Sequence, residues 1–259
     1  MLKSLLSISP EKALQVWFRN AFVYRKLTKV GLLPNFIEPL LYLLSMGLGV
    51  GRYVEAIHGM NYIQYIAPGF IASTAMFGTS FEVTFSTYVR LTWQKTFDGM
   101  VSTPVNAEDV VFGEILWGAS KGVLFGCIMM LVLAVVGLIP SWSALWIIPF
   151  LFLANMVFAT IGMTVSSLVP SMDFFNFYIT GFVTPSFLLS GIFFPIDGLP
   201  KFAQLLANIS PLYHIVEVVR ALAWGQQSAA TGMHVLIVAL AVLILLPYPI
   251  HRMSKKLVS

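Results

Sequence analysis

The feature that most constrains this chain is a series of apolar runs about 18 residues or longer, separated by short segments that hold most of the charge. At 1.5 Å per helical residue such a run crosses a hydrocarbon layer roughly 30 Å thick. In hydrocarbon every backbone amide and carbonyl must find a partner inside the protein, so spanning elements are helices. Composition agrees: 58% of residues are hydrophobic and 10% charged, outside the range of soluble domains. The expected fold is an all-α integral membrane protein over the whole chain, 1–259.

Six spans are expected, at 33–50, 62–84, 110–138, 143–168, 174–194 and 231–250. Ahead of them, residues 11–29 put Leu14, Trp17, Phe18, Ala21 and Phe22 on one helical face with Lys12, Arg19 and Lys26 within reach of headgroups, the pattern of a helix lying along the membrane surface. No cleavable signal peptide is expected, because "MLKSLLSISPEKAL" meets Pro10, Glu11 and Lys12 before an apolar region forms. The first span then serves as the targeting signal.

With the amino terminus inside, Lys3, Lys12, Arg19, Arg25, Lys26, Lys29, Arg90, Lys95, Arg252, Lys255 and Lys256 fall on the cytoplasmic side. Only Arg52, Lys201 and Arg220 fall outside. This positive-inside bias supports an even span count with both termini cytoplasmic. The net charge of +4 therefore sits at span ends, and no soluble region is large enough to read nucleic acid.

The longest inner connection, 85–109, has residues to spare beyond a connector. It is either a solvated loop or the holder of a short helix for a cytoplasmic partner; Arg90, Lys95 and Asp98 are the candidate contacts. On the outer side, residues 190–200, "SGIFFPIDGLP", end a span, with Pro195 and Pro200 flanking a polar Asp197-Gly198 turn. Beyond it Phe202, Leu205, Leu206 and Ile209 keep helical spacing until Ser210-Pro211 interrupts, and Leu212, Val216 and Val219 resume it. The two helices, roughly 15 and 20 Å long, are each too short to span. They form either a re-entrant hairpin over 195–222 or an ordinary outer amphipathic segment.

Glu38, Glu82, Glu114 and Lys121 lie in or at the margins of apolar spans, where charge is costly and points to a polar path or a buried pair. Glu38 and Glu82, a turn from the inner ends, are expected to be solvated at the interface. Glu114 and Lys121 are seven residues apart, nearly on one face; both line a cavity or pair with another helix, or Lys121 instead snorkels inward. Gly118, Gly122 and Gly126 are spaced for close helix packing on that span.

Chemistry is sparse. No G-x-x-x-x-G-K-[ST] is present to cradle ATP, and no convergent catalytic set appears. Cys127 is the single cysteine, and His58, His214, His234 and His251 are scattered, so no metal centre is expected. Aromatic residues of the fifth span, including Phe174, Phe175, Phe177, Tyr178 and Phe182, either stack on cargo or pack on lipid and core.

Read in order, "VWFRNAFVYRKL" (16–27), "EPLLYLLSMGLGVG" (38–51), "YIAPGF" (65–70), "VVFGEILWGASK" (110–121), "SGIFFPIDGLP" (190–200) and "SPLYHIVEVVR" (210–220) resemble the membrane subunit of ABC-2 type exporters, most closely the NodJ branch. The resemblance implies a permease in the bacterial inner membrane: a second copy of the chain and two copies of a separate cytoplasmic ATPase complete it, surrounded by membrane lipid. ATP and magnesium would be held by that ATPase, with no cofactor in this chain. It further implies a connecting helix at 11–29, a coupling helix within 88–103, including Thr96, Phe97, Asp98, Gly99 and Met100, and an outer hairpin within 195–222. The branch is associated with export of lipo-chitooligosaccharides. The alternatives from other classes are an ion-coupled secondary carrier using Glu114 and Lys121, and a non-transporting membrane scaffold.

Overall fold

The computed structural model describes residues 7–57 and 59–258, with side chains left out at 27–36, 38 and 258. The expectation for Glu38 therefore lies outside the described side chains, and His58 lies outside the described residues. Apart from an isolated bridge between Ile57 and Met60, the ordered elements among the described residues are helical.

Helix α1, Pro10–Leu44, opens on a proline at its first turn, where the missing amide costs nothing. It runs without a break through the segments expected to be a surface helix and the first span, then widens into a π turn at Ser45–Gly49 and tightens into a 3₁₀ turn at Val50–Arg52. The boundary expected near residue 30 is absent: the charges there suggested a surface element to a length argument, yet charge does not break helical hydrogen bonding. Helix α2, Tyr62–Phe81, starts with the Asn61 amide donating to the Gln64 side chain at 3.0 Å, and continues through two π turns, Glu82–Ser86 and Val89–Trp93. The span expected to end at 84 is thus helical to 93, and the connection that follows is shorter than expected.

Helix α3 is the six-residue Thr96–Val101, set off by Lys95 with φ +52°. Helix α4, Ala107–Val135, is the hub of the bundle, packed against α1, α2 and α5. A 3₁₀ turn, Trp142–Trp146, leads into α5, Ile147–Leu168. The expected fifth span is broken: a 3₁₀ turn at Met172–Phe174, α6 at Phe175–Tyr178, a π turn at Ile179–Val183 and α7 at Thr184–Leu189. Helices α8, Lys201–Ile209, and α9, Pro211–Trp224, meet at an 81° bend. Helix α10, Ala229–Leu245, is followed by α11, Pro247–Val258, which returns against α3, α4 and α5.

Among the described residues three helices are both long and apolar enough to span: Ala107–Val135, Trp142–Leu168 and Ala229–Leu257. The bent α8–α9 pair makes a fourth if counted as one span. Six were expected. Helix α2 has the length, but Ser73, Thr74, Thr79 and Ser80 are buried along it, so its polarity is spent inside the protein; the fifth segment has the composition but not an unbroken helix.

The hub explains the glycines. A Cβ on Gly122 would stand 2.7 Å from the Ala75 carbonyl oxygen of α2 and 2.7 Å from Asn155 of α5, and one on Gly126 2.7 Å from Leu151. Gly118 likewise lies against Val83. These separations are shorter than van der Waals contact, so α4 reaches both neighbours only because small residues recur along it.

Candidate functional site

The bundle carries its buried charge at one end, where α1, the α2 extension and α4 converge. Glu82 and Glu114 are 3% and 0% exposed. The Glu82 carboxylate accepts from Arg90 Nη1 at 2.8 Å, Trp117 Nε1 at 2.8 Å and Lys121 Nζ at 2.5 Å. Glu114 accepts from Arg90 Nη2 at 2.7 Å, Asn20 Nδ2 at 2.8 Å and Thr87 Oγ1 at 3.4 Å. Arg90 thus bridges both carboxylates, and three helices are tied by side chains that cannot leave without stranding a charge.

The first π turn helps create this arrangement. A π turn adds a residue to the helical turn and shifts the face that follows, and here Arg90, eight residues after Glu82, folds back onto it. Glu82, expected at a solvated interface, is instead enclosed, because α4 supplies Trp117 and Lys121 against it. Lys121 does not snorkel; it pairs with another helix and lines a cavity, the two other expected outcomes, binding Glu82 of the α2 extension 5.0 Å from the Tyr24 ring centroid. Arg90, expected on the surface as a coupling contact, is an internal cross-link, with its side chain 14% exposed.

The other expected coupling residues separate by exposure. Thr96, Asp98, Gly99 and Met100 are at least partly accessible, and Lys95 and Asp98 sit 3.9 Å apart at 68% and 57% side-chain exposure. Phe97 is fully buried, so it anchors α3 and is not part of its outward face. The short helix therefore presents a polar surface on an apolar peg, directly after the strand of helix that carries Arg90.

At the opposite end of α2, Arg220 of α9 holds residues 190–200. Its Nη2 donates to the Gly191 carbonyl at 2.8 Å and its Nε to the Tyr65 carbonyl at 3.4 Å. The guanidinium lies 4.1 Å from the Tyr65 ring centroid and pairs with Glu217. Tyr65 Oη also donates to the Gly191 carbonyl, at 3.0 Å, and Gly191 takes φ +73°, where a side chain is strained. Pro195 and Pro200 precede a 3₁₀ turn containing Asp197 and Gly198 and helix α8 respectively, and Pro211 opens α9. Tyr65, Pro195, Asp197, Glu217 and Arg220 line a cavity of about 290 Å³ there.

Two histidines expected to be scattered meet at this end. His214 Nδ1 lies 2.7 Å from His234 Nδ1, and His214 Nε2 lies 2.9 Å from the Asn208 carbonyl. A carbonyl only accepts, so His214 carries its proton on Nε2, and with both rings neutral His234 donates from Nδ1. Among the described residues no three histidine, cysteine or acidic side chains group as metal ligands.

Asn20, Trp117 and Arg220 went unassigned in the sequence. Trp117 had a signal, standing between Glu114 and Lys121 on their helix; Asn20 and Arg220 acquire their roles only from partners 94 and 29 residues away.

The chain is 34% identical over 246 residues to nodulation protein J of Sinorhizobium fredii (strain NBRC 101917 / NGR234), covering 95% of this chain and 93% of that protein. It is 35% identical over 233 residues to nodulation protein J of Rhizobium leguminosarum bv. trifolii, covering 90% and 88%. The inner membrane transport permease YadH of Escherichia coli (strain K12) is 22% identical over 212 residues, 78% of each chain. Residues 12–224 match the model of the ABC-2 type transporter family, and the chain belongs to that family as a membrane-embedded transport permease.

Proposed function

We propose that this chain is half of the membrane path of an ATP-driven exporter in the bacterial inner membrane, completed by a second copy and by two copies of a cytoplasmic ATPase that holds ATP and magnesium. Its chain passes the membrane six times with both termini inside, and the α8–α9 hairpin dips in from the outer face as the gate. The cargo is amphiphilic and of glycan type, a lipo-oligosaccharide being the natural candidate given the nodulation proteins it is similar to.

The observation that carries this reading is the continuity between α3 and the buried charges. Helix α3, pegged by Phe97, follows Arg90 by a few residues, and Arg90 is bound to both Glu82 and Glu114. A push on α3 from a closing ATPase pair is therefore delivered to α1, α2 and α4 together. Such a push shifts the permease only if the two states differ in contacts, and the Arg90 bridge is the contact able to differ.

An ion-coupled carrier would need Glu114 or Lys121 free to exchange a proton or ion. Both are engaged with fixed partners, which weighs against that reading. The test replaces Thr96 to Met100 by a glycine-serine run in the chain co-expressed with its ATPase. Substrate-stimulated ATP hydrolysis is expected to fall to the unstimulated rate while membrane insertion is retained. Undiminished stimulation would overturn the assignment of α3 as the coupling element.

A further inference from the structure

Beside the buried network lies a cavity of about 330 Å³ lined by Arg19, Tyr24, Arg90, Gln94, Trp117 and Lys121, with Glu82 at its wall. Its donors exceed its acceptors. Both oxygens of Glu82 and both of Glu114 already accept hydrogen bonds from Arg90, Lys121, Trp117, Asn20 and Thr87. Arg19, by contrast, makes one described hydrogen bond, from Nη1 to Asn20 Oδ1 at 2.9 Å, and has no carboxylate within ion-pairing distance among the described residues. Arg90 Nε is buried without a hydrogen-bond partner among them.

The charges agree with this inventory. Arg19, Arg90 and Lys121 stand against Glu82 and Glu114, so one positive charge is left without a counter-charge. A cluster with spare planar guanidinium donors and an ammonium suits a tetrahedral oxyanion, whose several oxygens take more than one donor at once. The neighbouring surface of α1 is apolar, with Phe18 and Phe22 62% and 61% exposed, and Val23 and Tyr24 continue it to the cavity mouth.

We infer that this cavity is a binding site for a phosphate ester, with Arg19 as its principal ligand and with the exposed Phe18–Phe22 face of α1 taking the apolar part of a phosphate-bearing lipid. Free inorganic phosphate offers the same chemistry to the cationic part alone. The inference does not depend on which cargo is exported or on the coupling role of α3.

The test is native mass spectrometry of the purified chain in an uncharged detergent, titrated with phosphatidylglycerol and, in parallel, with diacylglycerol of the same acyl chains. Phosphatidylglycerol is expected to bind and diacylglycerol not. Arg19→Gln is expected to weaken phosphatidylglycerol binding about tenfold, the loss of one charge-assisted contact, with Arg19→Lys between the two. Arg25→Gln, an exposed change on the same helix, is expected to leave it unchanged. Displacement of the lipid by inorganic phosphate, against chloride at equal ionic strength, identifies a site that also takes the free anion. Failure of phosphate to compete, with Arg19 dependence intact, identifies the lipid as its ligand. Equal binding of diacylglycerol, or wild-type affinity in a folded Arg19→Gln protein, overturns the inference.

Discussion

Glu114 is fully buried among donors from α1 and the α2 extension, Asn20, Arg90 and Thr87, and its neutralisation leaves Arg90 with one carboxylate in place of two. Removing one member of a buried ionic set costs about 3–5 kcal/mol, because the remaining charge stays desolvated. Glu114→Gln is therefore expected to lower thermal stability in detergent by an amount of this order. Exchanging Arg90 and Glu114 together for Met and Leu should cost less than the sum of the single changes; additive losses would show that the bridge is not a unit. The sequence announced Glu114 and Lys121, because a charge within an apolar run is visible locally. It misplaced Glu82 and Arg90, because depth was judged by distance from a span end, and the π turns that carry the helix onward leave no local mark. Arg90 belongs to the interior only once α4, beginning at Ala107, is laid beside α2.

Among the elements, the break between α8 and α9 was the most legible. Ser210-Pro211 and Pro200 are strong breakers, and the two helices fall at Lys201–Ile209 and Pro211–Trp224. What fixes the preceding stretch was not legible, since Arg220 reads as a lone outer charge until its distance to Gly191 is known. Arg220→Gln removes the ion pair to Glu217 and the stacking on Tyr65 while sparing both helices. Residues 190–200 are then expected to exchange amide hydrogens about tenfold faster, in keeping with the loss of a charged hydrogen bond. Unchanged exchange there would mean that the prolines alone hold the stretch. The continuity of α1 was hidden for the opposite reason: its charged first half and apolar second half look like two elements, and only the backbone joins them.

For the whole molecule, burial ranks the helices from centre to edge. Helix α5 is the more enclosed and α10 the more open of the long apolar helices; Leu243 and Ile244 are 68% and 74% exposed. With Cys127 replaced by alanine, a fluorophore on Ile244→Cys is expected to be quenched by brominated acyl chains in reconstituted membranes. Protection from quenching would place a second copy over α10. The general class, a membrane helical bundle, followed from run length; the hub role of α4 did not, because it depends on which glycines face which neighbours. Helix α1 also joins two attachments: Asn20 is fastened to Glu114 at one point and Tyr42 rests 6.3 Å from the Phe187 ring at another. Pro34 and Pro39 lie between them, and a proline inside a helix removes a backbone hydrogen bond and is where helices kink. The charged end and the aromatic end of the molecule thus share one backbone with a joint in it, and a movement at Asn20 reaches Tyr42 along a direction that the two prolines set.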